Sequence, residues 1–379
     1  MIQERFSVTR FVAMLIKEFH QMRRDRTTLG MMIGVPLIQL TLFGFAINTD
    51  PKALPTAVYS PDNSAFTRSI TAAMVNTEYF KIVAEPRNAT EIDKLLKRGK
   101  IQFAVTIPTD FSRKLLRSER PQLLVEADAT DPVATASAIS ALNQLAATAL
   151  REDLKGITQT LNASPQPFEI IIHRRYNPEN ITQYNIVPGL MGVVLTMTLV
   201  MITGLAVTRE TERGTMENLL AMPVRPFEVM LGKITPYVVV GYTQAAIILM
   251  AASWLFSVPI EGSITLLSLC TIVFMVANLA VGFTFSTIAK NQLQAVQMTF
   301  FFFLPSLLLS GFMFPFRGMP GWAQILGELL PLTHFLRIAR GILLKGNGFI
   351  DIANELLAIF AFVVVASAIA LKRYQQTLD

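Results

Sequence analysis

Residues Ile264–Ala289 read ITLLSLCTIVFMVANLAVGFTFSTIA, a run without one Asp, Glu, Lys or Arg. A helix needs about 20 apolar residues to cross the hydrocarbon core of a bilayer, and this run is longer. Working outward from it, Tyr184–Thr208, Ile234–Ile260 and Asn291–Phe316 are equally free of charge. Thr27–Thr49 is a fifth such run and Leu356–Leu371 a shorter sixth. Only 16% of the 379 residues are charged, against about 25% in soluble chains, and these runs explain the shortfall. The pattern predicts an α-helical polytopic membrane protein with six spans, at 27–49, 181–207, 234–257, 264–289, 291–313 and 351–371. It excludes a soluble enzyme, a secreted disulfide module and a disordered chain.

The single cysteine, Cys270, lies inside an apolar run and excludes internal disulfides; a small packing residue is the plainer reading than a reactive thiol. His20, His173 and His334 fall in three separate regions, so no metal cluster with recognisable spacing is expected. The 26 residues before the first run include Arg23, Arg24 and Arg26, and the run itself ends in Asn-Thr-Asp-Pro. A cleavable signal has a shorter apolar core followed by small residues, so 27–49 is expected to stay as a span.

Short loops decide orientation. With the N-terminus inside, the cytoplasmic pieces 1–26, 208–233, 290 and 372–379 carry six, four, one and two Lys or Arg. The short outer pieces, 258–263 and 314–350, carry none and four. Both termini are therefore expected in the cytoplasm. The long segment between spans one and two has sixteen basic and fifteen acidic residues, which leaves no footprint for nucleic acid. Strand and helix patterns alternate along it: strands at 53–59, 80–84, 101–107, 123–127 and 168–173, and helices at 63–76 (opened by Asp62), 91–98, 111–118 and 133–154. Residues 50–180 are expected to form an inserted α/β extracytoplasmic domain.

Two cytoplasmic pieces stand out. Phe11, Leu15 and Phe19 share one apolar helical face with Val12, Ile16 and Met22, while Arg10, Lys17 and Arg24 lie largely opposite. Such a basic amphipathic helix suits the membrane interface, and a topogenic anchor fits the pattern equally well. The second piece, 208–233, contains Gly214 to end one helix and Thr215 to cap a new one. Pro223 stops that helix after two turns, and Pro226 and Glu228 suit the first turn of the next. A short helix carrying Leu219, Leu220 and Met222 then stands exposed with a charged rim, which marks a docking surface.

The same residues carry a family resemblance. Arg209-Glu-x-Glu-Arg-Gly-Thr-Met-Glu-x-Leu-Leu-x-x-Pro-Val-x-x-x-Glu228, followed by Gly232-Lys-x-x-Pro-Tyr237, resembles the cytoplasmic signature of type-two ATP-binding-cassette (ABC) transporter permeases. Leu309-Ser-Gly-Phe-Met-Phe-Pro315, Met319-Pro-x-Trp322, Pro331-Leu-Thr-His-Phe335 and Arg340-Gly-Ile-Leu-Leu-Lys-Gly346 are similar to that family too. Val105-Thr-Ile-Pro-Thr-Asp-Phe-Ser112 resembles the multidrug or hydrophobic-compound exporter branch, which has a large periplasmic insert.

The resemblance implies a coupling helix at 215–222, seated on a separate ATPase subunit. Glu210, Arg213, Gly214, Thr215, Met216, Glu217, Leu219, Leu220, Pro223 and Glu228 would form that contact. Phe11, Leu15, Phe19, Arg23 and Arg24 would belong to an interfacial connecting helix. It also implies ATP and Mg on the partner ATPase rather than on this chain, pairing with a second copy or a homologous permease, and a bacterial inner-membrane location. A periplasmic adaptor and an outer-membrane channel are further expected partners, along with membrane lipid. No Gly-x-x-x-x-Gly-Lys-Ser/Thr loop occurs in the sequence, and Gly232-Lys233 lacks the upstream glycine and the hydroxyl. The chain is expected to be no enzyme in its own right.

No charge lies within the five long runs, which counts against ion-coupled transport and favours an apolar cargo. Met191, Met197, Met201, Met298, Phe302 and Pro305 are candidate path lining, although such a stripe more often faces lipid or another helix. Residues 314–348 are too punctuated and charged to span. They are expected to form two short amphipathic helices, Trp322–Leu330 and Leu332–Leu344, dipping into the outer interface; the resemblance makes them re-entrant helices at an outer gate with Phe314, Trp322 and His334. A hydrogen-bonded structural histidine is the plainer reading of His334 than a proton sensor. Asp110, Asp128, Asp131 and His173 show no triad or metal spacing. A membrane-anchored sensor or scaffold is the main alternative to an exporter of drugs, with lipid or glycan export as another.

Overall fold

The computed structural model describes residues 51–151, 153–154, 166–212 and 226–376. The expected first span at 27–49, the N-terminal helix at 1–26 and most of the coupling segment lie outside the described residues. Two parts are present, an α/β domain and a bundle of long helices.

The domain runs β1 (Leu54–Tyr59), α1 (Ala65–Asn76), β2 (Phe80–Ala84), α2 (Ala89–Lys97), β3 (Phe103–Thr106), α3 (Phe111–Leu116), β4 (Gln122–Asp128), α4 (Pro132–Thr148) and β5 (Glu169–Arg175). Its sheet has the order β2-β1-β3-β4-β5. The pairs β1/β2, β1/β3 and β4/β5 are parallel, as helical crossovers require, and β3/β4 is antiparallel. β3, at the centre, reads Phe-Ala-Val-Thr and is buried on both faces, the pattern of a covered strand. Phe103, Phe111, Leu123, Val125, Leu142 and Phe168 fill one side of the sheet, and Ile92, Leu96 and Ile101 fill the other.

Helix starts follow side-chain capping. Asn88 accepts from the Glu91 amide while the Glu91 carboxylate accepts from the Arg87 amide, a reciprocal cap. Asp131 caps α4 ahead of Pro132. The first helix corrects the sequence reading: it starts at Ala65 and is capped by Ser64, not opened by Asp62. The Asp62 carboxylate instead accepts from the amide (2.8 Å) and hydroxyl (2.6 Å) of Ser112, tying the β1 turn to α3.

The helical part comprises α5 (Thr182–Glu212), α6 (Pro226–Trp254), α7 (Ile264–Ile288), α8 (Gln292–Leu309), α9 (Gly321–Glu328), α10 (Pro331–Lys345) and α11 (Phe349–Gln376). Among the described residues, five helices are long and apolar enough to span: α5, α6, α7, α8 and α11. α7 sits at the centre, buried against α5 and α11, with Phe274, Met275, Leu279 and Phe283 inaccessible. α6 and α11 instead present Val239, Ile247, Leu357, Phe360 and Val365 outward, a surface only a bilayer or another apolar partner covers.

Polar groups inside the bundle are satisfied locally. Thr196, Thr271 and Thr299 donate to carbonyls one turn back. The Tyr242 hydroxyl crosses from α6 to the Ser268 carbonyl of α7 at 2.9 Å, and Thr198 joins α5 to Gln244 of α6 at 2.9 Å. α8 continues through Pro305, and the Ser306 hydroxyl donates to the Phe302 carbonyl in the turn the proline disturbs.

The two short helices expected at Trp322–Leu330 and Leu332–Leu344 are α9 and α10. The apolar face of α10 is turned into the bundle, with Pro331–Phe335 and Ile342–Leu344 all buried. It packs among α5, α7 and α11, with Phe335 stacked on Phe274 at 4.1 Å. Of the four cations in 314–350, Lys345 pairs with Asp128 of the α/β domain, Arg337 pairs with Glu328 and Glu355 within the helical part, Arg340 is half-buried and Arg317 stays exposed.

α5 and α7 approach closely at Gly282, where an added Cβ would stand 2.7 Å from the Val200 carbonyl oxygen and 2.9 Å from Thr203 Cβ. Small residues permit such contacts between membrane helices. Replacing Gly282 with Val should destabilise the purified protein by about 1–3 kcal/mol, read as a lower unfolding temperature in detergent. Gly321→Ala, where an added Cβ meets no atom within 4 Å, should leave that temperature unchanged.

Candidate functional site

The two helices that flank the expected coupling segment are described, and the segment is not. Glu210 falls in the last turns of α5 and Glu228 in the first turn of α6. Arg213, Gly214, Thr215, Met216, Glu217, Leu219, Leu220 and Pro223 lie outside the described residues, as do Phe11, Leu15, Phe19, Arg23 and Arg24. Beside them is a contact the sequence did not suggest. The Glu212 carboxylate accepts from the amide (2.7 Å) and side chain of Gln292, clamping the end of α5 to the start of α8. That contact holds Glu212 below the usual carboxylate range. A carboxylate at a helix start also complements the helix dipole.

The candidate lining residues separate by depth. Met191 is buried in the central cluster with Phe335 and Leu336, and Met197 packs against its edge. Met201, Met298, Phe302 and Pro305 are half-buried. The Phe302 ring meets Phe285 edge-on at 6.2 Å, linking α8 to α7.

At the other end of the spans, α9 and α10 turn back on themselves. Phe314 packs against Leu308, Leu309, Met319 and Ala323, while Trp322 is exposed. His334 is buried and bonded at both nitrogens. Nε2–H donates to the Glu328 carbonyl at 2.8 Å, and Nδ1 meets the Glu355 carboxylate. Both partners accept, so the imidazolium is the form that satisfies both. Burial opposes that charge, yet the Glu355 carboxylate and the Glu328 carbonyl outweigh it and raise the pKa above histidine's ordinary value. Arg337 joins the same carboxylates, with Nη2 at 2.6 Å from Glu328 and Nη1 at 3.4 Å from Glu355. Glu355 was invisible beforehand, because it sits just before the uncharged run that marks the last span.

A second cluster joins domain to bundle. Lys345, the last residue of α10, pairs with Asp128 at the end of β4, and both side chains are less than a tenth exposed. Thr130 donates to the same carboxylate at 2.8 Å, and Lys345 lies 5.3 Å from the Tyr176 ring centroid. Gly346 then takes the left-handed conformation that ends α10, at φ 64°, and aims Asn347 at the Lys97 carbonyl, 3.0 Å away. Arg98 of the domain reaches Asp351 of α11 at 3.0 Å. Asp128 therefore anchors the domain to the bundle, and Asp131 accepts from the Ala134 amide and from the Asn185 side chain of α5. Among the described residues no group of His, Cys, Asp and Glu could hold a metal ion.

Residues 26–372 match the family described as "ABC-2 family transporter protein". The chain belongs to that family. As an ABC permease subunit it carries no catalytic activity itself and works with an ATPase subunit. The permease is 27% identical over 367 residues to a protein of Escherichia coli strain K12 named "Probable multidrug ABC transporter permease YbhR", covering 97% of this chain and 98% of the relative. It is 29% identical over 377 residues to that organism's "Probable multidrug ABC transporter permease YbhS", covering 97% of each. It is likewise 29% identical over 374 residues to the same strain's "Inner membrane transport permease YhhJ", covering 96% of each.

Two measurements test the permease's end clusters. A raised histidine pKa means the His334 contribution is complete below about pH 6.5 and is lost as pH rises through the folded-state value. The unfolding temperature should therefore fall from pH 6.5 to pH 9, while His334→Gln, less stable by about 1–3 kcal/mol at pH 6, should show a flatter profile. Lys345→Met leaves Asp128 buried without its cation and should cost about 3–5 kcal/mol, with the double variant Lys345→Met/Asp128→Leu recovering most of it in the same assay.

Proposed function

We propose that this permease is the membrane half of an ATP-driven exporter of hydrophobic or amphiphilic, drug-like compounds. The observation that carries this reading is the middle of the bundle: α5, α6, α7 and α8 place no Asp, Glu, His, Lys or Arg within their candidate spans, and Glu355 of α11, which pairs with His334, stands near the start of its span. An ion-coupled carrier needs such groups near mid-membrane, whereas a methionine- and phenylalanine-rich interior suits varied apolar cargo. Two relatives carry the word multidrug in their names, which supports the same direction.

On this reading the chain lies in a bacterial inner membrane with both termini inside, and residues 215–222 seat on the ATPase. The outward apolar faces of α6 and α11 meet lipid and a second permease, either another copy or a homologue. ATP and Mg bind the ATPase, and its closure rocks the two permeases about their interface. The α/β domain faces the periplasm, where an adaptor leading to an outer-membrane channel would find it.

Replacing both Leu219 and Leu220 with Asp should abolish co-purification of the ATPase subunit while membrane insertion stays normal. Undiminished recovery of the complex would overturn the coupling assignment. Deleting residues 60–170 should leave ATPase association intact and reduce efflux of a hydrophobic dye from whole cells. Full efflux by that variant would remove the α/β domain from the export route.

A further inference from the structure

Between the α/β domain and the bundle lies a cleft-like cavity of about 200 Å3. Its walls come from the end of α2, the end of β4, the turn at Phe316–Gly318 and α10. Six cationic side chains line it against four carboxylates. Four of the cations are held: Lys345 by Asp128, Arg98 by Asp351, Arg337 by Glu328 and Glu355, and Lys97 by Asp93. Two are not.

Arg340 is the first. Its Nε donates to the Asn185 carbonyl at 3.3 Å and its Nη1 to the Gly311 carbonyl at 3.2 Å. Its Nη2 is buried with no hydrogen-bond partner. Asp131 is the carboxylate nearby, but its Oδ1 is taken by the Ala134 amide and the Asn185 side chain. Burial pushes Asp131 above the usual carboxylate range, against the opposing pull of the Arg340 charge. Arg317 is the second; it stands exposed on the turn, with no hydrogen bond or ion pair to its guanidinium among the described residues. A buried guanidinium nitrogen without a hydrogen-bond partner is costly, and the planar fork of arginine matches phosphate oxygens in bidentate fashion.

The surroundings say what kind of phosphate. Pro315, Phe316 and Leu336 give the cavity an apolar wall. The neighbouring α9 exposes Trp322, Ile325 and Leu326 at the domain-side ends of the spans, where tryptophan marks the membrane interface. We propose that this cavity binds the phosphate group of an anionic amphiphile, with Arg340 and Arg317 as its guanidinium ligands and the exposed face of α9 beside its acyl chain. This is a binding property of the chain alone and goes beyond the export reading.

The test uses the full chain, purified in a neutral maltoside detergent and titrated calorimetrically with inorganic phosphate and with dodecyl phosphate. Dodecyl phosphate should bind saturably at one per chain. Arg317→Ala should weaken it about tenfold, and Arg340→Gln should abolish it. Arg317 sits on an exposed turn, so its substitution spares the fold; if Arg340→Gln does not fold, Arg317→Glu supplies the stronger variant. Binding by dodecyl phosphate alone identifies a lipid headgroup as the source. Binding of inorganic phosphate with the same arginine dependence identifies a free anion and overturns the amphiphile. Saturable binding by neither probe, or binding indifferent to both Arg317 variants, overturns the site.

Discussion

Much of the architecture hangs on one desolvated ion pair. Lys345 ends a helix that is buried along most of its length, and Asp128 ends a strand in a separate hydrophobic core. Neither charge has water to fall back on, so each holds the other in place. The left-handed turn at Gly346 and the Asn347 bond to the Lys97 carbonyl follow from that placement. So does the Arg98–Asp351 contact, which brings α11 under the domain. A surface pair of the same kind would contribute little; burial is what lets this one fix the position of a whole domain.

The parts legible in the sequence are those governed by periodicity and by the absence of charge. Ile264–Ile288 and Gln292–Leu309 were readable because a span cannot tolerate Lys or Glu. β2 was readable to the residue, since Phe80–Ala84 is bounded by turn formers on both sides. What escaped was long-range pairing. Asp62 looks like a cap because capping is local, and nothing near it announces Ser112 fifty positions on. Lys345 looks like an interfacial cation because its burial depends on Asp128, 217 positions upstream. Glu355 escaped for a related reason: beside a hydrophobic run its charge reads as a boundary mark, whereas His334 and Arg337 draw it into the protein.

The bundle also divides its helices by what they meet. α5 and α7 are mostly buried within the chain, while α6 and α11 are mostly not. In bilayer the hydrophobic effect does not pull helices together, so the inner pair relies on close approach at Gly282 and the outer pair keeps its bulky aliphatic faces for other company. That division separates a centre packed within the chain from sides whose apolar residues face outward.

The sheet's single antiparallel step, β3 against β4, settles where the chain enters and leaves the domain. Because β1 and β5 consequently run in opposite directions, the first residue of the one and the last of the other emerge from the same end of the sheet. The domain is thus a closed excursion of the chain, and Lys345, Asn347 and Asp351 of the helical part bind it. With entry and exit at one end of its sheet, the segment builds its own core without spreading the parts of the chain it joins. One strand reversal makes a large appendage modular.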